Sequence, residues 1–128
     1  MRSEYEIIRS IKNENIFSFL SHSCFLIPPL LMIIELKKFG TTLISRQTGR
    51  EAFLALQPFL KDVKKDEIIK VDFDDILTFS PSWGDEFLTP LLNIYGDRLV
   101  LKNTSNPSVM ATLEILQTTI GKRFEISN

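Results

Sequence analysis

The stretch Glu67–Leu88, EIIKVDFDDILTFSPSWGDEFL, decides the fold because its hydrophobic pattern changes partway along. Near its start, Ile69, Val71 and Phe73 alternate with charged residues, which is typical of a strand with one buried face. The residues ILTF predict a short extended piece, and from Trp83 onward the apolar residues recur at helical spacing. We therefore expect a strand that leads into a helix near the sequence SPSWGDEF.

This helix is expected to end at Gly96, because glycine favours helix C-termini. Pro90 lies inside it and predicts a kink near Glu86, since proline lacks the backbone N–H that the helix needs there. The predicted buried face consists of Trp83, Phe87, Leu88, Leu91, Leu92 and Tyr95.

Towards the N-terminus, Met32–Lys37 has the β-branched residues of a strand, and Thr41–Ser45 could pair with it as a short hairpin. A helix should follow, with Thr48 as its cap and Glu51 completing a capping box. Pro58 should kink this helix or end it early. Its apolar face is expected to contain Ala52, Phe53, Leu56, Phe59 and Leu60.

Towards the C-terminus, the pattern predicts a strand over Arg98–Asn103 and then a helix. Asn106 should cap this helix, with Pro107 at its first position and Gly121 just beyond its end. Arg123–Ser127 could add a last short strand. The buried stripe of the helix should consist of Val109, Met110, Leu113, Leu116 and Ile120. Strands separated by helices predict an α/β fold, with a single sheet of about four to five strands and helices packed on it.

The composition is that of one globular domain of 128 residues, 44% hydrophobic and 24% charged. A net charge of −1 gives no electrostatic reason to expect nucleic acid as a partner. The single cysteine, Cys24, excludes an intramolecular disulfide and any site built from several cysteines. The single histidine, His22, has no carboxylate nearby in the sequence, which argues against a catalytic triad or a zinc site.

Enzyme signatures are missing from the sequence: it contains no P-loop, no GxSxG and no metal-ligand spacing. Adjacent acids such as Asp85 and Glu86 point about 100° apart on a helix, so they do not form a catalytic pair. We expect a protein that is not an enzyme and that needs neither metal nor cofactor.

The first thirty residues differ from the rest, because Ile16–Ile34 contains no Asp, Glu, Lys or Arg. Its length approaches the roughly 20 residues of a membrane span, but Pro28-Pro29 would break a helix near its middle. We consider three interpretations: a poorly integrated or non-native extension, a segment that packs on the domain or a partner, and a membrane anchor. A secretory signal is a further option, although no small-residue cleavage site follows. We place the domain at residues 32–128 and the extension at residues 1–31.

The chain resembles the STAS domain (sulfate transporter and anti-sigma factor antagonist), and more closely the bacterial STAS-like family of unknown function. The residues that carry the resemblance are Ser45-Arg46, Val71–Phe73, Ser80–Phe87 and Val100–Asn103. The resemblance covers about residues 32–126. It implies a STAS-like sheet with helices packed on it, and a cytoplasmic signalling protein that acts through protein–protein contacts.

In phosphorylatable anti-sigma factor antagonists, a partner kinase of the histidine-kinase-like ATPase class modifies a serine before the second helix. The resemblance places Ser82 at that serine and Gly84 at the following glycine of the motif, while Pro81 and Trp83 depart from it. The residues themselves favour a different role. Ser82 could cap the helix, with Asp85 at the third helical position.

The two acids after Ser82, Asp85 and Glu86, would also repel a phosphate there. Trp83 could be a core residue or, if exposed, an anchor for a partner. Arg46 could form an ion pair with Asp85 or Glu86.

We therefore expect a regulatory module that binds an ATPase- or kinase-like protein through the Ser80–Phe87 loop and the helix that follows. The candidate contact residues are Ser80, Pro81, Trp83, Asp85, Glu86 and Arg46. An alternative is a ligand-sensing or membrane-associated accessory module, anchored through residues 16–34. A homodimer is a further option, and no nucleic acid is expected.

Overall fold

The computed structural model describes residues 31–127, as six strands and three helices. The interpretations of residues 1–30 as extension, signal or anchor lie outside the described residues. The strands are β1 (Leu31–Glu35), β2 (Thr42–Leu43), β3 (Ile68–Asp72), β4 (Thr78–Phe79), β5 (Leu99–Lys102) and β6 (Glu125–Ser127). The helices are α1 (Arg46–Leu60), α2 (Pro81–Tyr95) and α3 (Pro107–Ile120). Short 3-10 turns cover Leu36–Phe39 and Gly96–Arg98.

Four of the strands form the main sheet, in the order β1-β3-β5-β6, and all neighbours are parallel. Ile34, Val71 and Leu101 are register partners across its first three strands. Strands β2 and β4 form a separate two-stranded parallel sheet. The predicted α/β fold is confirmed, and the main sheet has the expected size. The second sheet was not predicted.

The helices form one layer, in which α2 packs between α1 and α3. Each new strand of the main sheet is added on the same side of the previous one, and right-handed crossovers then place all three helices on one face. The strands accordingly alternate between fully buried residues, such as Ile69 and Val71, and half-buried ones, such as Ile68 and Lys70. The predicted buried positions of β3 and α2 all belong to this core.

The predicted hairpin between Thr41–Ser45 and the first strand is wrong, because Thr42–Leu43 pairs in parallel with Thr78–Phe79 instead. The 3-10 turn after β1 ends at Gly40, whose φ of 133° only glycine adopts readily. From there the chain runs beside β4, where the carbonyl of Thr41 accepts the N–H groups of Leu77 and Thr78.

The predicted cap of α1 is also wrong: the cap is Ser45, three residues before Thr48. Ser45 has the extended backbone of an N-cap, and its Oγ accepts a hydrogen bond from the Thr48 N–H at 3.1 Å. Glu51 therefore has no capping box to complete, and it accepts a hydrogen bond from Gln47 Nε2. Pro58 does not end α1, which continues to Leu60, because a proline near the last turn removes only one internal hydrogen bond.

Helix α2 likewise continues past Pro90 to Tyr95. The ends of α3 are confirmed: the Asn106 side chain caps it, and Gly121 follows it with a φ of 70°. Its predicted stripe is wrong at Met110, which is 54% exposed. Adjacent helical residues point about 100° apart, so Val109 and Met110 cannot both face the core. Thr112 is buried instead, and its hydroxyl donates to the Phe79 carbonyl.

Candidate functional site

Two helices begin side by side at one edge of the small sheet. Strand β2 leads through Ser45 into α1, and strand β4 leads through Ser80 into α2. Because β2 and β4 are parallel neighbours, the N-termini of both helices lie at the same edge. The positive ends of two helix dipoles and their first side chains are therefore brought together.

Ser80, rather than Ser82, is the cap of α2. Its Oγ accepts the Trp83 N–H at 3.2 Å and donates to the carbonyl of Ile44, which links the starts of the two helices. Pro81 occupies the first helical position, where a missing N–H costs nothing. The prediction that Ser82 caps the helix is therefore wrong. The Ser80-Pro81 pair was the signal that identifies the cap.

Gly49, whose role was not predicted from the sequence, allows α1 and α2 to touch at this end. A Cβ on Gly49 would lie 2.7 Å from the backbone oxygen of Trp83. On the other side of α2, a Cβ on Gly84 would lie 2.9 Å from a methyl of Leu116. The glycine inside the helical TGRE segment was the available signal for the first contact.

Arg46 joins the two helices electrostatically, as the sequence predicted. Its Nη1 lies 2.9 Å from Asp85 Oδ2 and 3.1 Å from Glu86 Oε1. Arg50 approaches Glu86 from the next turn of α1, at 3.6 Å. The hydrogen bonds to Asp85 and then Glu86 raise the pKa of Arg46 above its ordinary value. Two arginines thus face two carboxylates across the helix pair.

Trp83 lies in the core, which was the first of its two interpretations, and only 1% of it is exposed. Its ring stacks on Phe87 at 4.9 Å and tilts against Phe79 at 5.7 Å between ring centroids. The accessible side chains around it are those of half-buried Pro81 and Ser82 and of the charged residues. We call Arg46, Arg50, Ser82, Asp85 and Glu86 the α1–α2 surface.

A second charged group lies where the strands of the main sheet end. Lys102 Nζ contacts Asp74 at 2.8 Å and Asp72 at 3.7 Å. Lys37 Nζ contacts Asp75 at 3.4 Å and Glu35 at 3.5 Å. The hydrogen bond from Lys102 lowers the pKa of Asp74, and the same bond raises the pKa of Lys102. These pairs tie the loop after β3 to the neighbouring strands.

Metal binding finds no support among residues 31–127, where no group of three or more His, Cys, Asp or Glu side chains could hold an ion. None of the helices in this part of the chain is long and apolar enough to cross a membrane.

The family comparison identifies the central part of the fold. No curated protein and no solved structure gives a match to the chain. A family match covers residues 57–109, from the end of α1 to the first turn of α3, and it includes the whole of α2. This segment matches the model of the STAS-like domain of unknown function (DUF4325), which confirms over residues 57–109 the resemblance found in the sequence.

Proposed function

We propose that the protein is a non-enzymatic regulatory module that binds a protein partner through the α1–α2 surface. The observation that carries the proposal is the meeting of Arg46 with Asp85 and Glu86 at two adjacent helix starts. This arrangement presents both signs of charge within the first two turns of the two helices. Charges at the rim of an interface select partners and orient their approach, so such a surface suits protein recognition.

We infer the partner class from the resemblance to anti-sigma factor antagonists, which the STAS-like match at residues 57–109 supports. Those proteins present the start of their second helix to a histidine-kinase-like ATPase, and α2 is the corresponding helix here. Ser80 and Pro81 fix where α2 begins, Arg46 holds its acids in place, and Trp83 supports it from the core. The partner contacts are therefore expected from Ser82, Asp85 and Glu86.

A charge-reversal pair tests this proposal. Purified histidine-kinase-like ATPase regulators from the source organism are titrated with the wild type, with Glu86→Lys and with Glu125→Lys. Glu86 lies on the α1–α2 surface, whereas exposed Glu125 lies on β6 at the far edge of the main sheet. We expect Glu86→Lys to weaken binding at least about tenfold, or about 1.4 kcal/mol, and Glu125→Lys to leave it unchanged.

Thermal unfolding of both variants controls for loss of folding. Equal binding by the two variants would place the interface elsewhere. Failure of every such regulator to bind the wild type would remove this partner class.

Phosphorylation of Ser82 is a second candidate function, and the positions of Arg46 and Arg50 favour it. The two acids that would repel a phosphate are each in contact with an arginine, so the four charges of the surface balance. Ser82 is half-buried at the second helical position, where backbone N–H groups and the helix dipole favour an anion.

Intact mass after incubation with ATP and the bound regulator tests this modification. We expect one added phosphate on the wild type and on Ser105→Ala, a change at an exposed loop serine, and none on Ser82→Ala. An unmodified wild type, under conditions that phosphorylate a known antagonist, would eliminate the modification while leaving the binding proposal intact.

A further inference from the structure

Ser82 lies on the same face of α2 as the two acids of the α1–α2 surface. It is the second residue of the helix, and Asp85 and Glu86 follow it by three and four residues. Residues at these spacings are neighbours on a helix surface, with Cβ atoms about 5–6 Å apart. Helical side chains also lean towards the helix N-terminus, so both carboxylates extend towards Ser82. The three side chains are half-buried and form one triangle on the helix.

Arg46 reaches this triangle from the start of α1. Gly49, one turn later in α1, lies against the backbone of Trp83, so Arg46 begins level with the first residues of α2. Its Nη1 contacts the two acids at 2.9 and 3.1 Å, and a side chain on this course passes beside Ser82. Both hydrogen bonds use this one nitrogen, whereas a guanidinium carries five N–H donors. A group attached to Ser82 therefore lies within reach of Arg46.

We infer that a phosphate on Ser82 takes Arg46 away from Asp85 and Glu86, and thereby turns the α1–α2 surface from balanced to acidic. This exchange rests on the phosphorylation of Ser82 proposed above, and it describes how that modification regulates the same surface. In the modification, the γ-phosphoryl group of ATP is transferred to Ser82 Oγ and its bond to the β-phosphate oxygen breaks. ADP and the hydroxyl proton are released.

The phosphate is a stronger partner for a guanidinium than either acid. It carries a charge of about −1.5 to −2 at pH 7 and three acceptor oxygens. Arginine binds phosphate through two parallel N–H···O bonds, and such charge-assisted pairs are the strong class of hydrogen bond. The Arg46 side chain has room to turn, because it is 52% exposed.

Both acids keep a contact after Arg46 turns. Asp85 Oδ1 accepts a hydrogen bond from Thr89 Oγ1 at 3.0 Å, and Arg50 Nη2 lies 3.6 Å from Glu86 Oε1. The charge of the surface changes, because two arginines balance two acids before modification and the phosphate adds about −1.5 to −2. A partner that fits the balanced surface then binds more weakly, since the charges it matched have changed.

Phosphoserine introduced at position 82 of the full-length chain during translation tests the exchange without a kinase. Phosphorus NMR over a pH series gives the pKa of the phosphate in the wild type, in Arg46→Met and in Arg46→Lys. Arg123→Met is the matched control, because Arg123 is exposed and follows the end of α3. The start of α3 lies beside β4, which leads into α2, and its 14 residues span about 21 Å. Arg123 is therefore far from Ser82.

We expect Arg46→Met to raise the pKa of the phosphate by at least about 0.5, because a neighbouring cation favours the doubly charged form. Arg46→Lys should return part of that difference, and Arg123→Met should leave the pKa unchanged. In the chain without these substitutions, the Nε–H signal of Arg46 in nitrogen NMR should move when Ser82 is modified, whereas the signal of Arg123 should not.

An equal phosphate pKa in the wild type and in Arg46→Met would overturn the exchange. An unmoved Arg46 signal, or an equal rise of the phosphate pKa in Arg123→Met, would do the same. The partner takes no part in these measurements, so a negative result leaves the binding proposal intact. Failure of the regulator to bind would in turn leave the result for Arg46 unchanged.

Discussion

Gly49 shows how one missing Cβ sets the distance between two helices. The backbone of Trp83 occupies the space that a side chain at this position would need, at 2.7 Å. The obstacle is backbone, so it cannot move aside by rotating a side chain. Gly84 differs, because the nearest atom to its Cβ position is the end of Leu116.

Gly49→Ala should therefore destabilise the fold, although alanine is the better helix former by about 1 kcal/mol. Overpacking costs typically about 1–3 kcal/mol, and because the obstacle is backbone we expect a cost near the upper end and a net loss of about 1–2 kcal/mol in urea unfolding. Leu54→Ala, an exposed change on the same helix, should stay within about 0.5 kcal/mol of the wild type. A Gly49→Ala protein as stable as the wild type would contradict the close contact.

The serines at the start of α2 give a second comparison at the residue scale. Ser80→Ala removes the cap and the hydrogen bond to the Ile44 carbonyl, and should cost about 0.5–2 kcal/mol. Ser82→Ala removes no capping bond and should change the unfolding free energy by less than about 0.5 kcal/mol. Chemical denaturation of both variants measures the difference. The reverse order would restore Ser82 as the cap.

At the scale of elements, the loop after β3 is held by charges at the ends of three parallel strands. Lys102 on β5 reaches Asp74 in the loop and Asp72 at the end of β3. The pKa of Asp74 is lowered, first by its hydrogen bond with Lys102. A lowered pKa means that the ionised carboxylate stabilises the folded state above the usual aspartate pKa of about 3.9. That contribution is lost as the pH falls through the folded-state value.

Lys102→Met should consequently make the folding stability less dependent on pH in the acidic range. In the wild type we expect the urea midpoint to fall more steeply between about pH 5 and pH 2 than in the variant. Lys65→Met, a change at an exposed lysine in the loop before β3, should keep the wild-type profile. Parallel profiles for the wild type and Lys102→Met would show that this pair does not contribute to folding.

Elements with strong local signals could be predicted from the sequence, and elements fixed by long-range pairing could not. The alternation in β3 and the cap and glycine that bound α3 were sufficient to predict both. Strand β2 has only two residues, and its partner lies beyond α1 and β3, so nothing local distinguished it from a hairpin. The cap of α1 failed for a related reason: Ser45 and Thr48 are equally good caps locally, and the end of the preceding strand chooses between them. For α2 a local signal did exist, because a proline directly after Ser80 favours Ser80 over Ser82 as the cap.

The ion pairs of Arg46 at the candidate site could be predicted from the sequence, but the contacts that follow from the close approach of the two helices could not. The pairing of Arg46 with the two acids was predicted because opposite charges lie near the starts of two expected helices. The balance of charge at this surface also involves Arg50, whose contact with Glu86 was not predicted. The glycine in TGRE signals that α1 and α2 approach closely, but it does not tell which charged side chains then meet.

At the scale of the whole molecule, one continuous core joins the sheet to the helix layer. Phe73, Phe79, Trp83 and Phe87 form a chain of ring contacts that runs from the end of β3 through β4 into α2. The same cluster includes Leu56 of α1 and Leu116 of α3. Because every helix and the main sheet share this core, we expect the domain to unfold as one unit.

Trp83 reports on this core directly, because it is the only tryptophan and is 1% exposed. We expect its fluorescence to shift to longer wavelength in a single urea transition that coincides with the loss of helical circular dichroism, as in two-state domains. Leu116 lies in α3, on the far side of α2 from α1. Leu116→Ala should lower the unfolding free energy by about 2–5 kcal/mol, by the same amount in the fluorescence and in the circular dichroism. Ile115→Ala, at the exposed neighbouring position, should change the unfolding free energy from either signal by no more than about 0.5 kcal/mol. If the two signals separated, α3 would be unfolding independently of the Trp83 cluster, and the core would be two units rather than one.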